Sequence, residues 1–399
     1  MCYGTKPLYA SRSPCNKIHR LPGFSKKKWL LLPLIVLVFL GATYWLIGKI
    51  QYRLDVMDVE DYEPVSTLKV PQHLLTRARF PFIDVHNHQW IMPVQDLDKL
   101  VADMDSLNMG VMVNLSGFRG KILEWSLDNV NQNHPNRFVI FLNINFENLD
   151  DKGWPEDALT MLDEAVKQGV KGLKVYKGLG LTDKDNNGDR IAVDDPRLDP
   201  IWAKCGELGI PVLIHSGEPS SFWDPKDKLN ERWLELKQEP GRYRPADKFP
   251  PFEQIISEQH HVFRKHPKTK FIDAHLGWFG NDLERLGKLF DELPNVYTEL
   301  GAVLAELGRQ PRFARTWMIR YQDRVMFGKD TYKKEEYYTY FRVLETADEY
   351  FDYYRKRHAH WKMYGLELPD SVLKKVYYQN AMKIIPGIDT GYSDQQLRI

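Results

Sequence analysis

The stretch Phe82-Ile83-Asp84-Val85-His86-Asn87-His88 decides how the remainder of the chain is to be understood. A short apolar run, Phe82–His86, has strand character and ends in imidazoles and a carboxylate. Residues two apart on a strand share a face, so Asp84, His86 and His88 point the same way. Two histidines so placed supply two of the three or four ligands that a catalytic zinc-type site takes. Spacing alone is not enough. His358 and His360 repeat the pattern inside the polar stretch YYRKRHAHW, which reads as a solvated helix face.

Seven more runs of strand character follow the first: Gly110–Leu115, Phe138–Asn143, Gly172–Tyr176, Ile210–His215, Phe271–His275, Val296–Leu300 and Arg324–Phe327. Stretches of helical period separate them, at Val94–Asn108, Ile122–Asn133, Glu156–Gln168, Leu198–Leu208, Phe252–Lys265, Leu283–Leu293 and Leu304–Tyr321, with Ser371–Ile385 closing the series. Strand alternating with helix implies a parallel sheet, and eight such units match a (β/α)8 TIM barrel of the α/β class. No glycine-rich phosphate loop follows any of the runs, which argues against a doubly wound open sheet. The barrel is assigned to residues 80–399.

Ahead of it, Trp29–Gly48 (WLLLPLIVLVFLGATYWLIG) holds no charge and as a helix rises about 30 Å, the thickness of a bilayer's hydrocarbon core. This predicts one N-terminal transmembrane helix at 29–48, with a basic cytoplasmic tail at 1–28 and a linker or stalk at 49–79. Seven basic residues and no acidic one precede the span, which places the N-terminus in the cytoplasm and the barrel outside it. A cleaved signal peptide is the alternative, although no small-residue cleavage site is evident. Of the 399 residues 43% are hydrophobic and 27% charged, which excludes a disordered chain. The formal charge of +1 becomes −6 once the basic tail is set aside, so nucleic acid is not an expected partner. Cys2, Cys15 and Cys205 are too few for a disulfide framework or a zinc cluster, and Cys205 reads as a buried free thiol.

A barrel carries its active site at the carboxyl ends of its strands. His86 and His88 end the first run, His215 the fifth (VLIHSGEP), His275 the sixth (FIDAHLGW), and Asp330 follows the eighth (VMFGKD). Four strands thus deliver imidazole or carboxylate to one rim, and that joint condition points to a divalent metal, zinc before others.

These motifs, with GLKVYKGLGL at the fourth strand and the terminal YYQNAMKIIPG, resemble the amidohydrolase superfamily, specifically its amidohydrolase-related family of metal-dependent hydrolases and decarboxylases. The resemblance runs from about Phe80 to Gly387. It implies that His86, His88 and His215 hold the metal, that Asp330 binds it or its water, and that His275 assists the chemistry. Ionic chemistry agrees: a divalent ion lowers the pKa of bound water from about 16 toward 7, Asp330 then handles its proton, and His275 polarises a carbonyl or supports an oxyanion. Asp84 is placed to orient one imidazole from behind.

Lys174 falls where binuclear members of the superfamily carry a carbamylated lysine between two metals. It is assigned here to substrate, with one metal expected and a second left open. His275 is the other candidate for a second ion or for substrate. Asp183, Asp185, Asn187, Gly188 and Asp194 approximate a calcium loop, but a polar hairpin turn explains Asn186-Asn187-Gly188 more simply. The long segments Pro219–Pro251 and Thr331–Pro369 are expected as walls or lids of the pocket, with Ala347, Phe351 and Tyr354 on one helix face. The expected activity is hydrolysis of a small amide, lactone or ester by metal-bound hydroxide. A non-oxidative decarboxylase is the alternative, with Lys177, Lys329 or Arg119 as the cation for a carboxylate. A catalytically silent binding protein is the third reading, and the oligomeric state is open.

Overall fold

The computed structural model describes residues 26–54 and 56–388, with side chains at 31–53 and 56–388. Most of the basic tail, with Cys2 and Cys15, lies outside the described residues. The chain divides into two units, one ending at Thr67 and one beginning at Leu68.

In the first unit a helix runs from Lys26 to Leu54 and overshoots the expected span at both ends. Its apolar portion, Leu31–Arg53, rises about 35 Å and has no side chain buried against protein. This is an N-terminal helix long and apolar enough to cross a bilayer.

The second unit holds eight strands: β1 (Phe82–Asn87), β2 (Met109–Asn114), β3 (Phe138–Asn143), β4 (Gly172–Val175), β5 (Val212–Ile214), β6 (Phe271–Asp273), β7 (Val296–Glu299) and β8 (Val325–Met326). Each pairs in parallel with the next, in the order β1 to β8. Val85 N–H donates to Phe327 C=O (3.0 Å) and Asp330 N–H to His86 C=O (2.7 Å), which brings the end of β8 back to β1 and nearly closes a TIM barrel. All strand residues are buried, as expected where helices cover the outside and packed side chains fill the inside. The intervening helices show why the sequence stops and starts as it does. In Leu97–Leu107 the Asp96 carboxylate accepts the Lys99 N–H, Leu97, Leu100, Val101, Met104 and Leu107 face the sheet, and Asn108 ends the helix in the left-handed region. Trp154–Gln168 carries Glu156 and Asp157 in its first turn and ends on Gly169 at φ +115°, a conformation that glycine alone adopts cheaply.

Several expected boundaries shift. The helix expected over Leu304–Tyr321 is two, Leu304–Gly308 and Pro311–Arg320, because Pro311 has no N–H and starts a helix more readily than it continues one. Ser371–Ile385 contains a π-helical turn at Lys375–Gln379. No helix covers Ala347–Tyr354: the preceding helix ends at Glu345, Ala347 is exposed, and Phe351 bridges to Met363 as a two-residue ladder. The stretch 346–369 owes its order to that bridge and to Asp348, whose carboxylate accepts from Arg342, from the His73 N–H and from His73 Nδ1. Part of the expected stalk is therefore fastened to the barrel. Arg79 adds a backbone bond to Glu345 (3.0 Å). Cys205 is a buried free thiol. In the loop after β4, Asp185 accepts from the backbones of Asn187 and Asp189 and faces Arg197, with Gly188 at φ +83°: a turn closed by its own hydrogen bonds.

Candidate metal centre

The rim formed after β1, β5, β6 and β8 gathers His86, His88, His215, His275 and Asp330. His86 lies at the end of β1, whereas β5 stops at Ile214 and β6 at Asp273, so His215 and His275 sit just beyond their strands. His215 still continues the ladder, its N–H donating to Val175 C=O (3.1 Å). His275 does not. It opens a left-handed turn over His275, Leu276, Gly277 and Trp278, all at φ between +55° and +60°. Asp330 is also left-handed, at φ +81°. Strained backbone at non-glycine residues costs on the order of 1–3 kcal/mol each and concentrates at functional sites.

Asp330 Oδ1 lies 3.4 Å from His86 Nε2 and 3.7 Å from His88 Nε2. His275 Nε2 lies 3.3 Å from His215 Nδ1. The rings of His86 and His275 stack at 4.7 Å, and His215 meets His275 edge-on at 4.5 Å. Among the described residues the tightest group of metal-type ligand atoms is His86, His275 and Asp330, all within 4.8 Å of one another. His88 and His215 flank it.

Hydrogen bonding fixes which nitrogen each ring presents. His86 Nδ1 is 2.9 Å from Glu299 Oε1, an acceptor, so Nδ1 carries the proton and Nε2 keeps its lone pair. His275 Nδ1 is 2.7 Å from the Gly301 carbonyl and must donate as well. Its Nε2 then accepts from His215 Nδ1, which leaves the lone pair of His215 on Nε2. Nε2 of His86 and Nε2 of His215 are both buried with no hydrogen-bond partner. Buried polar atoms are seldom left so, and a bare lone pair on His86 beside the Asp330 carboxylate, with another on His215 one ring away past His275, fits a divalent cation.

The electrostatics agree with that fit. Burial holds His86 and His215 well below the ordinary imidazole range, with Lys174 and the neighbouring imidazoles adding to it. His88 is pushed down to about 4, again by burial first and Lys174 second. All three are thus neutral at pH 7 and available as ligands. Burial works to raise the Asp330 carboxyl, but His86, His275 and His88 outweigh it and the group stays below its ordinary value. Lys174 is buried among them with no hydrogen-bond partner on Nζ, and burial lowers it to about 7 against the pull of Asp330 and Glu299.

Glu299, at the end of β7, was not singled out in the sequence, although it ends its strand just as the chosen residues do. Its carboxylate binds His86 Nδ1, the His275 N–H (2.7 Å) and the Gly301 N–H (2.5 Å). Gly328 makes room for it: a Cβ there would stand 2.1 Å from Glu299 Oε2. Glu299 therefore takes the orienting role expected of Asp84. The Asp84 carboxylate reaches the backbone N–H groups of His86 and Lys329, Asn87 and the Tyr337 hydroxyl (2.6 Å), and burial raises it to about 6. Ser116, likewise unanticipated, holds His88 Nδ1 at 2.7 Å and touches Tyr176.

Of the cations considered for a substrate carboxylate, Lys177 is held by Glu218 (2.6 Å) and Lys329 by Glu336 (2.5 Å), while Arg119 is exposed. His358 is not on a solvated helix. It lies half-buried in irregular chain with Nε2 3.5 Å from Glu235 Oε1, because Arg232 draws its carbonyl and Glu235 together, whereas His360 is exposed. Arg232 also bonds Glu306 (2.6 Å) on the helix after β7, so one buried guanidinium joins the segments that follow β5, β7 and β8.

A TIM barrel with imidazoles and a carboxylate on its strand-end rim defines a class of metal-assisted enzymes. A family described as amidohydrolase matches residues 83–386, and the chain belongs to that family, whose members are enzymes that act on small molecules, commonly with a divalent metal. Similar solved structures include a TIM-barrel protein from Bordetella bronchiseptica (15% identity, 76% of this chain and 98% of that one, TM-score 0.48). A 2,6-dihydroxybenzoate decarboxylase is 14% identical over 76% of this chain and 99% of its own (TM-score 0.48). The 4-oxalomesaconate hydratase LigJ from Rhodopseudomonas palustris is 14% identical over 78% and 97% (TM-score 0.46). No curated protein sequence matches the chain.

Proposed function

We propose that the chain is a membrane-anchored, metal-dependent hydrolase of a small amide, lactone or ester. The observation that carries this is the bare, buried Nε2 of His86 beside an ionised Asp330, with a second bare Nε2 on His215 across the His275 ring. His86, His88 and His215 would hold the ion, with Asp330, and zinc suits three imidazoles and a carboxylate. When bound, a divalent ion supplies Lewis acidity and makes water a nucleophile near neutral pH.

The chain's own groups do the rest. Asp330, whose carboxyl lies below its ordinary value and is ionised at pH 7, accepts a proton at Oδ1 and returns it to the leaving nitrogen or oxygen. His275, its Nδ1 committed to Gly301, accepts from His215 at Nε2 and so fixes the tautomer that bares His215 Nε2; once that bond opens, Nε2 takes a proton and donates it to the oxyanion. Glu299 fixes His86 and the His275 backbone together, so ligand and acid–base group keep one geometry. Trp90, Tyr176 and Trp278 flank the imidazoles and limit water.

The helix ending at Leu54 serves as the anchor, with residues 29–48 in the bilayer, 1–28 in the cytoplasm and the barrel outside. One ion is assigned, with Lys174 uncarbamylated and available to an anionic group of the substrate. That buried amine, lowered to about 7 and paired with no carboxylate within hydrogen-bond distance, can take up charge against a substrate carboxylate and is also what favours the second reading, decarboxylation, since Lys177 and Lys329 are already engaged. Incubating the zinc-loaded full chain with small amides, lactones, esters and aromatic carboxylates, with CO2 recorded alongside acid release, separates the two. Hydrolysis without CO2 is expected. Release of CO2 with no hydrolytic product would replace the hydrolase with the decarboxylase.

A further inference from the structure

Five large apolar side chains stand exposed together beside the catalytic rim. Trp90 (55% exposed), Ile91 (63%) and Val94 (84%) follow β1, and Ile122 (42%) and Trp125 (56%) lie on the helix Gly120–Asn133. The two segments are fastened to each other. Asn129, one turn beyond Trp125 on the same face, donates through Nδ2 to the carbonyls of Met92 (2.7 Å) and Gln95 (3.1 Å). Trp90 also meets Phe118 edge-on at 5.9 Å, just ahead of that helix. Elsewhere in 75–388 the large exposed apolar residues are Leu229, Tyr350 and Met382, each from a separate part of the chain, and Phe313 and Ile319, six residues apart on the helix Pro311–Arg320. Single exposed apolar residues are ordinary; a contiguous group marks a surface that meets something.

We propose that this patch rests in the lipid–water interface of the membrane that holds the chain's own N-terminal helix, an inference that rests on reading that helix as an anchor. Its composition is that of an interfacial surface, with two indoles among aliphatic side chains. Its edge carries both signs, with Arg119 and Lys121 exposed where the helix begins, Lys121 paired with Glu124 (2.8 Å), and Asp96, Asp98 and Asp128 exposed nearby, so seating rests on the apolar side chains and not on head-group charge. The tether argues for lipid over a separate partner. Between Arg53, where the apolar stretch ends, and His73, which Asp348 holds on the barrel, lie about 20 residues that reach at most about 70 Å. An anchored barrel is never farther from the bilayer than that, so a few partitioning side chains suffice to seat it without any free-standing affinity. Trp90 stacks on His88 at 5.2 Å with the ring planes 9° apart, so the surface that meets lipid adjoins the catalytic mouth.

The test uses the full chain with Cys2 and Cys15 changed to Ser and the buried Cys205 retained. A single reporter cysteine is introduced by Val94→Cys or, as a control of matching exposure on another loop, by Leu229→Cys (native Leu229 is 83% exposed). Each is labelled with an environment-sensitive fluorophore and placed one copy per nanodisc of phosphatidylcholine and phosphatidylserine. The Val94→Cys probe is expected to emit at shorter wavelength and to be quenched by spin-labelled lipid about threefold more strongly than the Leu229→Cys probe. Equal, water-like emission at both positions would overturn the proposal. A Val94→Cys signal that appears only in discs holding two copies would overturn it in favour of a contact between copies. In parallel liposomes, a chain washed off at alkaline pH would overturn the anchor and the patch with it, whereas a retained chain with a water-like probe overturns the patch alone.

Discussion

The chain contains two His-x-His pairs of identical spacing in different surroundings. His86 is wholly buried at the end of β1, its Nδ1 on a carboxylate and its Nε2 bare, and His88 stands on Ser116 beside Asp330. His358 lies in irregular chain between β8 and the C-terminal helices, 3.5 Å from Glu235 and among Arg355, Arg232 and Arg242, while His360 is exposed. Depressed basicity does not separate the pairs, since burial followed by those arginines brings His358 down to about 3, below His88. What separates them is the company of the lone pairs. One pair converges with a carboxylate and other imidazoles; the other is half-buried filler in a network of ion pairs.

The comparison is broken most directly by alanine. His86→Ala is expected to leave less than about a tenth of an equivalent of metal and no measurable turnover, whereas His358→Ala keeps both, as read by elemental analysis and activity. If the second pair mattered equally, the strand-end argument would fail. A smaller effect, on stability and not on metal, is expected of Arg232→Met. Removing this guanidinium takes one of two cationic partners from each of the buried carboxylates of Glu235 and Glu306, which keep Arg242 and Arg309, at a cost of about 1.5–3 kcal/mol in denaturant unfolding, with metal content unchanged. A loss well under 1 kcal/mol would show that the network is not holding the loops.

Glu299→Gln sharpens the comparison one shell out. It keeps the shape but weakens the acceptor for His86 Nδ1, and a 10–100-fold loss of metal affinity is expected by competition titration. Glu235→Gln, the matching change beside His358, should leave affinity alone. The smallest effect concerns protons. His86, His88 and His215 all have their pKa lowered by burial, His88 to about 4, so they are already deprotonated at pH 7. Metal uptake by the apo-protein should then release almost no protons from imidazole, read as a calorimetric heat that is the same in buffers of different ionisation enthalpy. The same depression predicts that the apo-protein loses stability as pH falls from about 6.5 toward 4, because the unfolded histidines take up protons there that the folded ones refuse.

Much of this was legible in the sequence, and the failures are physical. Eight runs with helices between them already imply the barrel, since strands buried on both faces must be continuously apolar, and Phe138–Asn143 falls where expected to the residue. Boundaries blurred where the chain leaves the sheet to build the site. His275 reads as strand because FIDAH is apolar, but its left-handed turn depends on tertiary bonds to Glu299 and Gly301 that no local pattern encodes. Glu299 lies one residue before the end of the expected run Val296–Leu300, and its role comes from tertiary bonds to His86, His275 and Gly301 that no local pattern marks. The helix expected over Ala347–Tyr354 failed because i, i+4 spacing also arises in chain whose order comes from Asp348 and the Phe351–Met363 bridge.

The account stands or falls on the metal. Elemental analysis of the purified full chain, as isolated and after incubation with zinc, is expected to give one equivalent in the wild type, absent in His215→Ala and retained in Lys174→Met. A wild-type chain that holds no metal and takes none up would contradict the claim that the strand-end imidazoles form a metal centre, and two equivalents falling to one or none in Lys174→Met would contradict the single ion.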